Sequence, residues 1–342
     1  MDNKPLVSIN ILSYNSLPYI EGCLDTVLAQ TYRNIEILVI ITGSDDGSGE
    51  LVKEKYGRHK KIRIIDPRRN LWFSKGHNFA LKNTTGEYVL VLNQDTVLDK
   101  NFVSKLIDVL EADSSLGSVS GKLLHYNFSI GSKTKILDST GIEIFKTRRL
   151  IDRGQWEQDF HQYDTDTEIF GPSGAAAIYR RSALEDVKIP KRDGQDEYFD
   201  EDFIAYKEDA DLAWRLQLAG YQCRYVPDAI IYHGRTVGRS WPTQFIRFIL
   251  NRHRQPRLLR KMSFKNHYLM MVKNEIPVLF RRHFLYILIR EFLLVGYSAI
   301  FEPFQIFTLA QFFRQLPEAL RKRKIIMAKV KADPAKLRTL FH

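Results

Sequence analysis

The sequence is poor in cysteine and in long apolar runs, and each shortage argues against a class of protein. Only two of the 342 residues are cysteines, Cys23 and Cys223, which is too few for a disulfide framework. No run reaches the roughly 18 apolar residues of a membrane-spanning helix. The N-terminal MDNKPLVSIN has no basic segment followed by an apolar one, so no secretory signal is expected. Together these features predict a cytoplasmic protein.

Acidic residues are scarce in the last third of the chain. Residues 240–342 contain 20 Lys and Arg but only 5 Asp and Glu, whereas residues 1–239 contain 31 and 35. The net charge of +11 therefore comes from the C-terminal region alone. Because a nucleic-acid-binding domain normally has its positive face on the folded body, this split argues against nucleic acid as the partner.

Strand-like and helix-like segments alternate through the first 125 residues. Strands are predicted at 6–12, 35–41, 62–65, 87–92 and 117–123, and helices at 16–30, 50–56, 74–82 and 101–111. Hairpins and loops are predicted over 125–170, a helix over 207–219, and strands at 175–179, 221–225 and 229–232. This order predicts a doubly wound, mostly parallel α/β sheet, in which ligands bind at the carboxyl ends of the strands.

Two candidate metal ligands follow apolar strands. Asp95 comes just after the apolar run Val89–Leu92, and its carboxylate suits a hard cation such as Mg²⁺ or Mn²⁺ that also binds diphosphate oxygens. His233 ends a later strand, and a neutral imidazole is a good ligand for Mn²⁺-like ions. Plainer interpretations remain open, namely an aspartate that closes a turn and a histidine of the surface or core.

Three carboxylates, those of Glu208, Asp209 and Asp211, cluster at the start of a predicted helix. Acidic residues there are favoured by the helix dipole, so a capping role is one interpretation. The other is a general base, since a carboxylate in a cleft can accept the proton of an attacking hydroxyl. Neighbouring carboxylates tend to raise one another's pKa.

Six ordered motifs carry a family resemblance. They are VSINILSYN (7–15), GSDDGS (43–48), NLWFSKGHN (70–78), GEYVLVLNQDT (86–96), GPSGAAAIYRRSALEDV (171–187) and the segment 199–233. In this order and spacing they resemble the inverting family 2 glycosyltransferases of the GT-A fold, and in detail the rhamnosyltransferase-type members that build surface polysaccharides. The resemblance implies a catalytic domain over 1–240, with a nucleotide-sugar half to about residue 125 and an acceptor half beyond it.

The resemblance also implies residue roles. Asp95 and His233 would hold the metal, with Asn93 replacing a first aspartate, and Asp209 of the pair Glu208-Asp209 would be the base. Contacts to the nucleotide sugar are implied for Tyr14, Asn15, Asp46, Asn70, Lys75, Asn78 and Asn93, and an acceptor side for Gly174, Asp211 and Arg215.

Two departures from the family pattern bear on the donor. Ile41 stands where the family usually has an aspartate that reads uracil or thymine, and losing that hydrogen bond would cost about 0.5–1.5 kcal/mol. Trp72 and Lys75 stand where glycines are frequent, and Lys75 would add a contact to the diphosphate.

The expected activity is a metal-dependent, inverting sugar transfer. The donor would be dTDP-rhamnose or a UDP-sugar, the cofactor Mn²⁺ or Mg²⁺, and the acceptor a glycan or a lipid-linked sugar. Two alternatives stay open. One is a catalytically silent domain that acts as a membrane-associated binding module, which Ile41 alone favours. The other is a nucleotidyltransferase, although SYNSLPYIEG lacks that class's basic, glycine-rich loop.

The C-terminal region, 241–342, is predicted to be helical, basic and aromatic. Its apolar stretch Phe284–Phe313 is interrupted by charged residues and a proline, so we expect helices in the headgroup region of an anionic membrane rather than a spanning helix. Each Lys or Arg near such a surface contributes about 1 kcal/mol. This predicts a peripheral protein on the inner face of the cell membrane. Packing on the catalytic domain, a homo-oligomer interface and nucleic-acid binding are the alternatives.

Overall fold

A ten-stranded mixed sheet is the centre of the computed structural model, which describes residues 4–235, 252 and 255–342. The strands are β1 (Val7–Ser13), β2 (Ile35–Ile41), β3 (Ile62–Ile65), β4 (Tyr88–Asn93), β5 (Thr96–Leu98), β6 (Leu116–Asn127), β7 (Ser132–Ser139), β8 (Ile142–Ile144), β9 (Leu150–Asp152), β10 (Glu168–Ile169), β11 (Ala176–Arg180), β12 (Ile189–Pro190), β13 (Asp196–Glu197) and β14 (Gln222–His233). The helices are α1 (Ile20–Leu28), α2 (Ser48–Tyr56), α3 (Trp72–Lys82), α4 (Phe102–Ala112), α5 (Arg181–Val187), α6 (Glu208–Leu218), α7 (Arg257–Asn274), α8 (Pro277–Phe301), α9 (Gln305–Ala328) and α10 (Pro334–Thr339).

The sheet confirms the predicted α/β class. Its main path runs β10-β14-β6-β11-β4-β1-β2-β3, with β5 paired to β14 and β7 to β6. β3, β2, β1 and β4 are parallel, as are β6 and β14, while β11 lies antiparallel between β4 and β6. Unbroken apolar runs such as ILVII in β2 and VLVL in β4 form these strands because helices cover both faces of the sheet.

One strand prediction is wrong. The sequence suggested two short strands, 221–225 and 229–232. The structure has a single strand, β14, whose register against β6 shifts between Val226 and Ile230. A bulge absorbs the extra residues, because Pro227 lacks the N–H that a regular ladder needs.

The C-terminal helices share a hydrophobic core with the acceptor half. Trp214 and Phe203 of the body pack in one cluster with Met270 of α7, Leu279 of α8 and Phe341 beyond α10. The chain end also joins the β8 segment, because His342 N donates to Ile144 O at 3.1 Å and His342 O accepts from Lys146 N at 2.8 Å. The predicted domain boundary at 240–241 lies outside the described residues, but the two regions pack as one body.

Several basic residues of the C-terminal region are internal. Lys273 and Lys322 are buried and both form ion pairs with the buried carboxylate of Asp200. Lys322 Nζ also lies 2.6 Å from Glu197 Oε1. The composition suggested that the positive charge of this region binds a membrane. Part of that charge is instead neutralised by carboxylates of the acidic body.

Helix α8 buries polar side chains and exposes apolar ones. His283 and Ser298 are buried, whereas Phe292 is 79% exposed. Arg290 and Glu291 pair with each other and bond to His267 and Tyr268 of α7. Within the described residues, α8 is the one helix long and apolar enough to cross a membrane by length and composition. The sequence prediction counted the two charges as interruptions, but both face protein.

Candidate active site

The predicted nucleotide-sugar residues gather at one edge of the sheet. Tyr14 and Asn15 follow β1, Asp46 follows β2, Asn70 follows β3, and Asn93 ends β4. Because these four strands are parallel and adjacent, their carboxyl ends meet at the same edge. The fold therefore brings these five residues to one side of the molecule.

Side-chain amides join the loops at this edge. Gln94 clamps the backbone of Tyr14, accepting from its N–H at 2.6 Å and donating to its carbonyl at 2.8 Å. Asn15 accepts from Asp45 N through Oδ1 at 3.1 Å and takes a left-handed φ of 46°. Tyr14 itself is 46% exposed, which leaves its ring open to a ligand.

The polar atoms of Asp46 and Asn70 contact the local backbone. Asp46 accepts from Leu17 N at 2.8 Å and from Ser48 N at 3.0 Å. Partial burial raises the pKa of Asp46, but hydrogen bonds from Ser48 and Leu17 outweigh it and leave the pKa lowered. Asn70 Oδ1 accepts from Trp72 N at 2.7 Å. These contacts fix the shape of the two loops at the start of α2 and α3.

Ile41, the predicted departure at the base-reading position, is buried. Its side chain packs against Gly49 in the first turn of α2, where a Cβ would meet Ile41 Cγ2 at 3.1 Å. The Ile41 side chain packs beneath the loop and offers no hydrogen-bond acceptor to the nucleobase of a donor.

The two predicted metal ligands lie side by side. β4 delivers Asp95 and β14 delivers His233, and His233 Nε2 lies 3.3 Å from Asp95 Oδ1. The other ring nitrogen, Nδ1, donates to Asp138 Oδ2 at 2.8 Å. Burial raises the pKa of Asp95, but the neighbouring His233 outweighs it and lowers the pKa overall. An oxygen and a nitrogen donor that face each other, with the imidazole oriented from behind, fit a divalent cation.

Sequence reasoning missed Asp138. It lies on β7 in the polar stretch predicted as hairpins, is fully buried, and also accepts from Arg235, whose guanidinium reaches Asp152. Its partner His233 is 95 residues away, so no local spacing connects them. The sole local signal is a carboxylate beside the apolar pair Ile136-Leu137.

The predicted base lies at the first turn of α6. Asp209 Oδ2 accepts from Gly174 N at 3.0 Å, and a Cβ on Gly174 would meet that oxygen at 3.1 Å. Burial raises the pKa of Asp209. Burial, together with Asp209, raises the pKa of the adjacent Glu208 to about 8. Asn93 N donates to Ala175 O, so the Gly174 segment borders the end of β4.

Three predicted site residues have structural partners instead. Asn78 is buried and its carboxamide bonds the backbone of Tyr198 and Phe199, so the expected donor contact is not supported. Asp211 and Arg215, expected on the acceptor side, are buried and pair with each other at 3.1 Å. Because both side chains are buried and paired, the structure does not support a direct contact of either with an acceptor.

Lys75 is exposed, and it lines a cavity of about 340 Å³ together with charged residues of the 191–202 segment and of α9. The predicted diphosphate contact of Lys75 remains a prediction.

A second group of metal-ligand type lies elsewhere. Asp159, His161 and Asp164 offer ligand atoms within 4.8 Å of one another. The buried ammonium of Lys122 already lies 3.1 Å from Asp159 and 2.9 Å from Asp164. A cation there would face the lysine charge, which disfavours a metal ion at this cluster.

Solved structures share this fold. The mannosyltransferase PcManGT of Pyrobaculum calidifontis, in complex with GDP-Man and Mn²⁺, aligns over 99% of this chain and 79% of its own, with 17% identity and a TM-score of 0.53. TarS of S. aureus, residues 1–349 with UDP, aligns over 95% and 86%, with 18% identity and a TM-score of 0.55. These alignments show that the chain has the GT-A fold.

Sequence comparison gives the family. The chain belongs to glycosyl transferase family 2, whose model matches residues 8–188. The poly-beta-1,6-N-acetyl-D-glucosamine synthase of Staphylococcus epidermidis is 28% identical over 238 residues, which is 69% of this chain and 52% of that protein. The synthase of Staphylococcus aureus (strain COL) is 28% identical over 251 residues, 70% of this chain and 55% of its own. The chain thus spans about half the length of these curated relatives.

Proposed function

We propose that this glycosyltransferase is metal-dependent and inverting, and that it moves a sugar from a nucleoside diphosphate to a glycan or lipid-linked acceptor. The observation that carries the proposal is the approach of His233 Nε2 to Asp95 Oδ1 at the same sheet edge as the Tyr14–Asn15 and Asp46 loops. Asp209, held by Gly174 beside the end of β4, supplies a carboxylate next to this edge.

Asp95 and His233 would hold Mn²⁺ or Mg²⁺. Such an ion neutralises the charge that develops on a leaving diphosphate. Asp138 fixes the orientation of the imidazole by accepting from Nδ1, so Nε2 stays directed at Asp95. The mannosyltransferase PcManGT, which is solved with Mn²⁺, supports this choice of ion.

Asp209 would act as the general base. Its carboxylate would accept the proton of the acceptor hydroxyl as that oxygen attacks the anomeric carbon in a single displacement, which inverts the configuration. Glu208 is the weaker candidate because it is buried and its raised pKa of about 8 keeps it protonated near neutral pH.

A UDP-sugar is the first donor to test. TarS is solved with UDP and with UDP-GlcNAc, and the curated relatives are named as synthases of an N-acetylglucosamine polymer. The buried Ile41 offers no carboxylate to the nucleobase of the donor. Backbone groups of the Gly43–Asp46 loop would therefore form the hydrogen bonds to the nucleobase. The dTDP-rhamnose that the sequence resemblance implies is the second donor.

We also propose that the C-terminal region binds the surface of an anionic membrane. The apolar face of α8 includes Phe284, Leu285, Phe292 and Leu293, each 47–79% exposed. Arg281 and Arg282 are exposed in the first turns of the same helix. Apolar side chains flanked by exposed cations match an interface of acyl chains and anionic headgroups better than a second copy of this basic chain.

The activity is tested by replacing the proposed base. With Mn²⁺ and a panel of UDP-, dTDP- and GDP-sugars, we expect Asp209→Asn to lower turnover by about 10²–10⁴-fold because proton removal is lost. Donor affinity, measured by calorimetry, should stay within about twofold of the wild-type value, because proton transfer to Asp209 occurs in the transition state and not in the donor complex.

Two further variants serve as controls for this test. Asp108→Asn on the exposed face of α4 makes the same chemical change away from the site and should leave turnover unchanged. Glu208→Gln tests the neighbouring carboxylate. Wild-type turnover in Asp209→Asn, with loss in Glu208→Gln, would transfer the base role to Glu208. Product of retained anomeric configuration, read by NMR, would contradict the single displacement.

A further inference from the structure

The loop that leads into α6 has an unusual backbone. Ile204, Tyr206 and Lys207 have φ values of 64°, 69° and 72°, in the left-handed region that non-glycine residues disfavour. For β-branched Ile204 the conformation is a clear outlier. Such backbone persists only where surrounding contacts impose it, and it is concentrated at functional sites.

A single side chain of α7 supplies the main contacts. Asn266 is fully buried, and its Nδ2 donates to the carbonyl oxygens of Phe203, Ala205 and Tyr206, each at 2.8 Å. The preceding Lys265 donates through Nζ to Asp202 O at 2.6 Å. Lys265 and Asn266 of α7 therefore bind the loop by donating hydrogen bonds to the loop's backbone carbonyl groups.

The loop determines where α6 begins. Asp211 N donates to Lys207 O at 2.9 Å, which is the first hydrogen bond of the helix. Asp209 lies between these two residues and reaches Gly174 N at 3.0 Å. A shift of the loop would therefore shift the Asp209 carboxylate, and a misplacement of about 1 Å is enough to cost about 10²-fold in rate.

We propose that Asn266 is a positioning residue for Asp209, so that the C-terminal helical region is part of the catalytic apparatus and not only a membrane anchor. The inference rests on the proposed role of Asp209 as base. Asn266 contacts neither donor nor acceptor in this arrangement and acts through the 203–207 backbone alone.

The test compares two buried asparagines of the same helix. Asn274 is also fully buried, but it donates to the side chain of Asp211 at 2.7 Å, and Asp211 keeps its pairs with Lys273 and Arg215 if that amide is removed. We expect Asn266→Ala to lower kcat by about 10- to 100-fold with the donor KM within about twofold. Backbone amide hydrogen exchange should become faster across residues 203–211 in Asn266→Ala. Asn274→Ala should lose comparable stability to urea while keeping kcat within about threefold.

A double variant covers the case in which Asn266→Ala folds poorly. Glycine takes positive φ without steric cost, so Ile204→Gly in the Asn266→Ala background should restore the folded protein and part of kcat. Wild-type kcat in Asn266→Ala, or equal loss of kcat in Asn274→Ala, would overturn the proposal. Failure to regain any kcat in a folded double variant would do the same. Wild-type turnover in Asp209→Asn would instead remove the base assignment, which separates the two failures.

Discussion

Asp138 illustrates how a single buried residue governs its neighbours. It has no exposed surface, and it accepts hydrogen bonds from His233 and Arg235. Burial raises its pKa, but Arg235 and His233 outweigh that effect and hold it well below the ordinary value. Asp138 therefore stays ionised and gives the imidazole of His233 a fixed acceptor on its Nδ1 side.

We expect Asp138→Asn to weaken Mn²⁺ binding by about 10- to 100-fold, because the imidazole loses its charged acceptor. Calorimetric titration of the protein with Mn²⁺ measures this directly, without substrate. Asp159→Asn is the matched control, since that carboxylate belongs to the cluster that Lys122 neutralises. Unchanged affinity in Asp138→Asn, or a loss in Asp159→Asn, would place the ion elsewhere.

At the level of elements, α8 exposes many large apolar side chains although it also buries Leu279 and Ile287. Soluble surface helices bury an apolar stripe and expose polar residues. In α8 the charges of Arg290 and Glu291 face α7, whereas Phe292 and Leu293 face outward. An exposed apolar face of this extent requires a partner.

Replacing Phe292 and Leu293 together by serine should lower binding to vesicles of phosphatidylcholine and phosphatidylglycerol at least tenfold. Each large apolar side chain contributes about 1.5–3 kcal/mol on transfer from water. Phe160→Ser is the control, because Phe160 is 75% exposed on the catalytic body and should not matter. If vesicle binding is unchanged and the double variant instead converts a dimer to a monomer in sedimentation, the face binds a second copy.

On the whole-molecule scale, buried ion pairs connect the acidic body to the basic C-terminal region. Asp200 pairs with Lys273 of α7 and Lys322 of α9, and Asp211 pairs with Lys273 at 2.8 Å. Removing residues 243–342 would take both cations from Asp200, leave Asp211 with Arg215 alone, and expose Phe203 and Trp214. Deletion of the region is therefore a poor test of membrane binding, and point variants of α8 are preferable.

Lys322→Met should lower the free energy of unfolding by about 3–5 kcal/mol, since it leaves the buried Glu197 carboxylate without its cation and Asp200 with Lys273 alone. Urea denaturation followed by circular dichroism measures the change. Lys324→Met removes a charge from the exposed side of the same helix and should unfold at the wild-type urea concentration. Equal stability of the two variants would mean that the buried network contributes little.

The amino-acid sequence was enough to predict the fold class and the segments that form the candidate site. Strands β2 and β3 match their predicted bounds, 35–41 and 62–65, because apolar periodicity and turn residues are local properties. The strand-end loops that follow β1 to β4 were predictable for the same reason. The approach of Asp95 to His233 agrees with the motif-based expectation, and their function as metal ligands remains a proposal.

Which polar side chains are accessible to a ligand became visible in the folded protein and not in the sequence. Asn78, Asp211 and Arg215 lie within the matched motifs, yet their side chains are consumed by partners that local spacing does not reveal. Asp138 and Asn266 belong to no motif, yet they orient His233 and the loop before Asp209. The positive charge of the C-terminal region is likewise not uniform in the folded protein. Some of its basic residues form buried ion pairs, and others are exposed. Burial and pairing depend on contacts between distant segments, which sequence periodicity does not encode.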